Sequence, residues 1–137
     1  MAETFETAFL DDAPVVTAPD GSAVRPLCQI AGAGSFAHFE LRPGQVARAV
    51  SHATVQEIWY VIAGAGELWR RQGDHERTVA LRPGVCLTIP LGTALQFRAA
   101  EGRDRLQVVA VTMPPWPTGS EDEARFEQGP WRVAPIQ

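Results

Sequence analysis

The chain has 137 residues, 45% hydrophobic and 20% charged, a composition that fits one globular domain and excludes disordered, collagen-like and coiled-coil classes. Twelve basic against sixteen acidic residues leave a formal charge of −4, so no cationic surface is expected for nucleic acid. The longest apolar runs, such as 108–111, fall far short of the roughly 18 residues that span a bilayer, which argues against a membrane partner.

In chain order, the N-terminal stretch MAETFETAFLDDAP is acidic and has neither a basic n-region nor an apolar h-region, which predicts a cytoplasmic location. Cys28 and Cys86 are too few for a disulfide framework and are expected as reduced core residues. Short runs rich in Val, Ile, Phe, Trp and Thr, bounded by Gly or Pro, predict strands near 24–30, 35–41, 46–52, 57–62, 67–71, 78–81, 85–89, 94–98 and 106–112. The 63–66 stretch, Ala-Gly-Ala-Gly, reads as a hairpin turn between its flanking strands, and 72–75 reads as a polar loop holding a solvated His75. Arg70 and Arg71 are expected on different faces, both solvated. The fold class is all-β.

Leu41-Arg42-Pro43-Gly44 recurs as Leu81-Arg82-Pro83-Gly84, each copy between two strand-like runs. The repetition suits an architecture of two similar Greek-key halves. After Thr112 the proline-rich 113–117 segment ends the strand pattern. The tail is expected to run over the outside in extended form, anchored by Trp116 and Trp131, with the acidic run 121–123 as a solvated face or the start of a short helix. Ser35 and Ser51 have no nucleophile-elbow context, and Gly64-Ala65-Gly66 has no following helix to make it a phosphate loop.

Two spacings carry the chemistry. Gly44 is followed by five residues, then Val50-Ser51-His52, four residues, Glu57, six residues and Gly64. Gly84 is followed by five residues, then Pro90-Leu91-Gly92, two residues, Leu95, three residues and Ala99. These resemble the two motifs of the cupin superfamily, with Val50 and Leu95 standing where metal-binding histidines are expected. The segment 57–61 and the 113–117 tail are also similar to those of small one-domain bacterial cupins.

The resemblance implies a single domain over 1–137. Its core would be a conical antiparallel β-barrel (double-stranded β-helix or jelly roll) over about 24–112, with a tail over 113–137. It also implies a homodimer and a pocket that, in the family, often holds Fe, Mn, Ni or Zn. Strand parity then turns Val50 and His52 inward, with Glu57 joining them, and lines the interior with Trp59, Val61, Leu95 and Phe97.

Three functions are compatible with such a pocket. His52 and Glu57 could divide acid and base roles on a small organic molecule without a metal, as in an isomerase, cyclase or lyase. They could belong to a metal-dependent enzyme, such as a dioxygenase or isomerase, that needs a further ligand; His38, Cys86 and Gln96 are the candidates. Or they could only orient a ligand in a non-catalytic binding module.

Overall fold

The computed structural model describes residues 4–117 and 123–133. Among these, a 3-10 turn at Leu10–Asp12 precedes eleven strands: β1 (Val16–Thr17), β2 (Ala23–Ile30), β3 (Gly34–Leu41), β4 (Val50–His52), β5 (Gln56–Ala63), β6 (Gly66–Gln72), β7 (His75–Leu81), β8 (Cys86–Ile89), β9 (Ala94–Ala99), β10 (Leu106–Met113) and β11 (Ala124–Phe126). The all-β expectation and the main strand positions agree with this order. No described helix is long and apolar enough to cross a membrane.

The barrel expectation is corrected. Hydrogen-bonded order runs β1-β2-β3-β10-β5-β8 in one sheet and β11-β4-β9-β6-β7 in the other, and among the described residues neither sheet returns to its first strand. The architecture is therefore two open antiparallel sheets, not a conical barrel or jelly roll. Three of the four edges are short, with two residues in β1, four in β8 and three in β11, too few ladder bonds to carry a sheet around to its other side. Short edge strands also offer little template for unwanted pairing.

The predicted hairpin at 63–66 is also corrected. β5 pairs with β10 and β8, whereas β6 pairs with β7 and β9, so this turn carries the chain from one sheet to the other. Glycine is required because the passage is tight. Gly64 has φ +81°, and a Cβ there would collide with the Arg105 carbonyl; a Cβ at Gly66 would collide with that of Arg98. The hairpin that does form joins β6 to β7, with Gln72 and His75 as ladder partners, so His75 is a strand residue and not part of a loop. The repeated turns behave alike: Gln45 N–H donates to Arg42 O and Val85 N–H to Arg82 O, and each turn leads from one sheet to the other. The strand expected over 46–52 is confined to Val50–His52, with Val46 making only an isolated bridge to Arg98.

The core lies between the sheets. Inward residues alternate with partly exposed ones along β10, and Leu106, Val108 and Ala110 are buried against Phe39, Trp59, Val61, Leu68 and Phe97. Full burial of each large apolar side chain contributes about 1.5–3 kcal/mol. Phe39, Trp59 and Phe97 meet edge-to-face, with ring centroids 4.7, 5.1 and 5.7 Å apart. Of the two cysteines, Cys28 is half-buried and Cys86 is exposed on an edge strand, contrary to the core placement expected for both. The reason is parity: Leu87 and Ile89 take the inward positions of β8.

The tail packs closely on the sheets. Trp131 accepts from and donates to the buried Gln96 side chain, and its ring lies under the Arg98 guanidinium. Of the acidic run, Glu121 and Asp122 lie outside the described residues, and Glu123 is only 2% exposed, so it is no part of a solvated face.

Candidate functional site

A cavity of about 460 Å³ opens between the two sheets. Its apolar wall includes Phe39, Val50, Trp59, Leu95 and Ala110; polar groups enter from Asp20, Ser22, His52, Glu57 and Thr112. Val50 and Leu95 are direct ladder partners and both are buried. Val61 and Phe97, expected as liners, are fully buried in the core.

His52 ends β4 in the five-stranded sheet and Glu57 lies near the start of β5 in the six-stranded one, so the short 53–55 connection holds them on opposite walls. His52 Nε2 stands 3.3 Å from Glu57 Oε1, and the two side chains are only 11% and 10% exposed. Thr112, the ladder partner of Glu57 on β10, donates its hydroxyl to Glu57 Oε2 at 3.2 Å. Trp116 meets the His52 ring edge-to-face at 5.1 Å, and its backbone N–H donates to Ser35 Oγ.

The connection itself is clamped by Glu123. Its Oε1 accepts from the Thr54 and Val55 N–H groups, both at 3.2 Å, its Oε2 accepts from the Thr54 hydroxyl, and its backbone carbonyl accepts from Ala53 N–H at 2.8 Å. β11 follows at once and pairs Ala124 with His52.

Burial alone would push the His52 pKa down, but the hydrogen bond to Glu57 and the negative charges of Glu57, Glu123 and Asp20 outweigh it and raise it. Asp20 is raised chiefly by its removal from water and further by the charge of Glu57, against the lowering effects of two hydrogen bonds from Ser22 and of His52. Two polar atoms of the lining residues are buried without a partner, His52 Nδ1 and Trp59 Nε1. Uncompensated polar atoms of this kind are rare in folded proteins.

Sequence reasoning named His52, Glu57, Val50, Trp59 and Leu95 as pocket residues but missed Asp20 and Thr112, which also line this cavity, and Glu123, which holds the 53–55 connection beside it. Thr112 was open to discovery through strand parity. Asp20 sits in a Pro-Asp-Gly turn, where no periodicity assigns a face, and Glu123 lies in a stretch whose charge suggested exposure.

The donor set does not match a family metal centre. Val50 and Leu95 offer no lone pair, and the three proposed substitutes lie elsewhere. His38 is bonded to Gln107 in the sheet, Cys86 is on an edge strand, and Gln96 is engaged with Ala47 and Trp131. Among the described residues no three His, Cys, Asp or Glu side chains are grouped to hold a metal ion.

Structures with this arrangement of strands are known. Pac13 from Streptomyces, determined with uridine, superposes with a TM-score of 0.70 at 13% identity, over 92% of this chain and 93% of that one; Pac13 is described as a nucleoside dehydratase. The capsular polysaccharide assembling protein CapF from Staphylococcus aureus gives 0.67 at 16% identity, over 82% of this chain and 34% of its own. The iron(II) protein HppE gives 0.66 at 14%, over 80% and 60%. This chain therefore spans about a third of CapF and three-fifths of HppE, and identities this low establish the fold alone. No curated protein matches it in sequence. The cupin domain model matches residues 37–112, more than half of the chain and the part that contains His52, Glu57, Val50 and Leu95, and on that match the chain belongs to the cupin-domain family.

Proposed function

We propose that the cavity binds a small organic molecule and that Glu57 and His52 move protons on it without a metal, in a reaction of the isomerase, cyclase or lyase type. The observation that carries this reading is the His52–Glu57 pair, 3.3 Å apart on opposite walls of a largely apolar cavity.

Glu57 is the general base. In an elimination it takes a proton from the carbon beside the leaving group; the electron pair of that C–H bond forms the new double bond, and the bond to the departing hydroxyl breaks. His52, whose protonated form its carboxylate neighbours favour, delivers a proton to that hydroxyl, which leaves as water. In an isomerisation the same two groups remove and return a proton at different atoms. Trp59 and the rest of the apolar wall exclude water.

Nucleosides are the first ligands to test, because Pac13, with uridine bound, shares the fold. Binding is read by thermal stabilisation and turnover by product analysis. For a molecule that is turned over, Glu57→Gln should still bind while the rate falls at least about tenfold. A Glu57→Gln rate equal to that of the parent protein overturns the proposal. Saturable stabilisation without turnover by any bound molecule would favour the binding-module reading, for which the apolar Val50–Leu95 pair is the specific support.

A further inference from the structure

A second cavity, of about 200 Å³, lies at the free end of the β6–β7 hairpin, and its lining includes Arg70, Gln72, His75, Arg77 and Thr93. Arg70 and Arg77 are direct ladder partners, as are Gln72 and His75. Partners in an antiparallel ladder project from the same face with Cβ atoms about 4.5–5.5 Å apart, and like charges so placed repel.

Four other arginines of the chain are neutralised. Arg25, Arg71, Arg98 and Arg105 each face a carboxylate at 2.6–3.3 Å. Among the described residues no carboxylate forms an ion pair with Arg70 or Arg77. Glu76 is the ladder partner of Arg71 and so projects from the opposite face, and Asp74 sits in the hairpin turn. Arg70 is half-buried, and one of its nitrogens donates to the Thr88 carbonyl at 2.8 Å, which leaves further guanidinium N–H donors free. Its removal from water, and then the charge of Arg77, lower its pKa, the signature of a cation without a counter-charge. On the same face of β6, Gln72 donates to the Thr93 hydroxyl at 3.0 Å.

We propose that this cavity is a binding site for a small oxyanion of the phosphate class, gripped between the Arg70 and Arg77 guanidinium groups. Planar guanidinium groups bind phosphate oxygens through paired N–H donors, and two of them across a ladder supply both charge and geometry. The site is independent of the acid–base reading of the main cavity, although it adjoins it: Arg70 is the ladder partner of Leu95, which lines that cavity.

The test is titration of the whole chain with inorganic phosphate at constant ionic strength, with chloride as the reference anion, followed by calorimetry and thermal unfolding. The parent protein should bind one phosphate saturably and unfold at a higher temperature as it does so. Arg77→Gln and Arg70→Gln should each weaken binding at least about tenfold. Without phosphate, Arg77→Gln should be no less stable than the parent, because it relieves the repulsion. A parallel titration with methyl phosphate separates free phosphate from phosphate esters as the preferred form; saturable binding of either supports the site. Failure of both anions to bind saturably, or unchanged affinity in Arg77→Gln, overturns it. Because Arg77 is exposed, that variant keeps the test decisive even if Arg70→Gln does not fold.

Discussion

Glu123 is the residue whose removal should most damage the candidate site without touching it. In Glu123→Ala, three donors of the 53–55 connection lose their acceptor: the buried Val55 N–H and the partly buried N–H and hydroxyl of Thr54. A buried donor without a partner costs about 1–3 kcal/mol, and the two at Thr54 cost less because water can reach them, so the expected loss is about 2–5 kcal/mol. With a urea m-value of about 2 kcal/mol/M, the midpoint should fall by about 1–2.5 M at unchanged slope. Glu123→Gln should lose less, because an amide oxygen at the Oε1 position still accepts from both N–H groups while the Thr54 hydroxyl can turn to accept from the amide nitrogen. The control is Glu67→Ala. That carboxylate also makes a short contact, 2.6 Å to Arg98, but at 44% side-chain exposure it should cost no more than about 1 kcal/mol. A midpoint for Glu123→Ala no lower than that of Glu67→Ala would refute the clamp.

Other perturbations have equally definite outcomes. Gly64→Ala should cost about 2–6 kcal/mol, since it adds backbone strain at φ +81° to a collision with the Arg105 carbonyl, whereas Gly73→Ala, with open space around its Cβ, should show only about 1–2 kcal/mol of left-handed strain; urea midpoints compare the two. The raised His52 pKa stabilises the fold fully below the unfolded histidine value of about 6.5, and this contribution disappears as pH rises from there through the folded pKa. The stability difference between the parent protein and His52→Gln should therefore shrink over that window, and a pH-independent difference would contradict the pairing with Glu57. The double variant Val50→His/Leu95→His puts imidazoles on the ladder pair that faces His52 and Glu57, and should gain stoichiometric cobalt(II) binding, visible in absorption, with affinity well above that of the parent.

What the sequence revealed depended on periodicity. Where strands are long and one face is buried, as in β5 and β10, the alternation of Trp59 and Val61 or of Val108 and Ala110 specifies which side chains point inward. Motif spacing and the same parity turned His52 and Glu57 toward one interior, but did not assign them to opposite sheets. What could not be read was how the strands partner. A Gly-rich turn serves a hairpin or a passage between sheets equally well, and only the close approach of Gly64 and Gly66 to the Arg105 and Arg98 carbonyls decides for the passage. Sheet closure was misjudged because short runs such as Val16–Thr17 and Ala124–Phe126 are too brief to show a pattern, yet they form two of the sheet edges. Glu123 was misread because charge is informative about exposure only when no unpaired donors wait in the interior.

The apolar Val50–Leu95 ladder pair sets the environment of the two polar groups beside it. An apolar ladder pair beside His52 lowers the local dielectric, which strengthens its bond with Glu57. The pairing crosses from one sheet to the other, so the separation of the walls and the charge state of His52 are tied to each other. In the proposed reaction, a ligand that takes a proton from His52 would remove the positive charge that favours its bond to Glu57, and returning the proton would restore it. The proposed acid–base work would thereby depend on a contact between the two sheets, through a pair that Thr112 steadies on one side and the Glu123 clamp on the other.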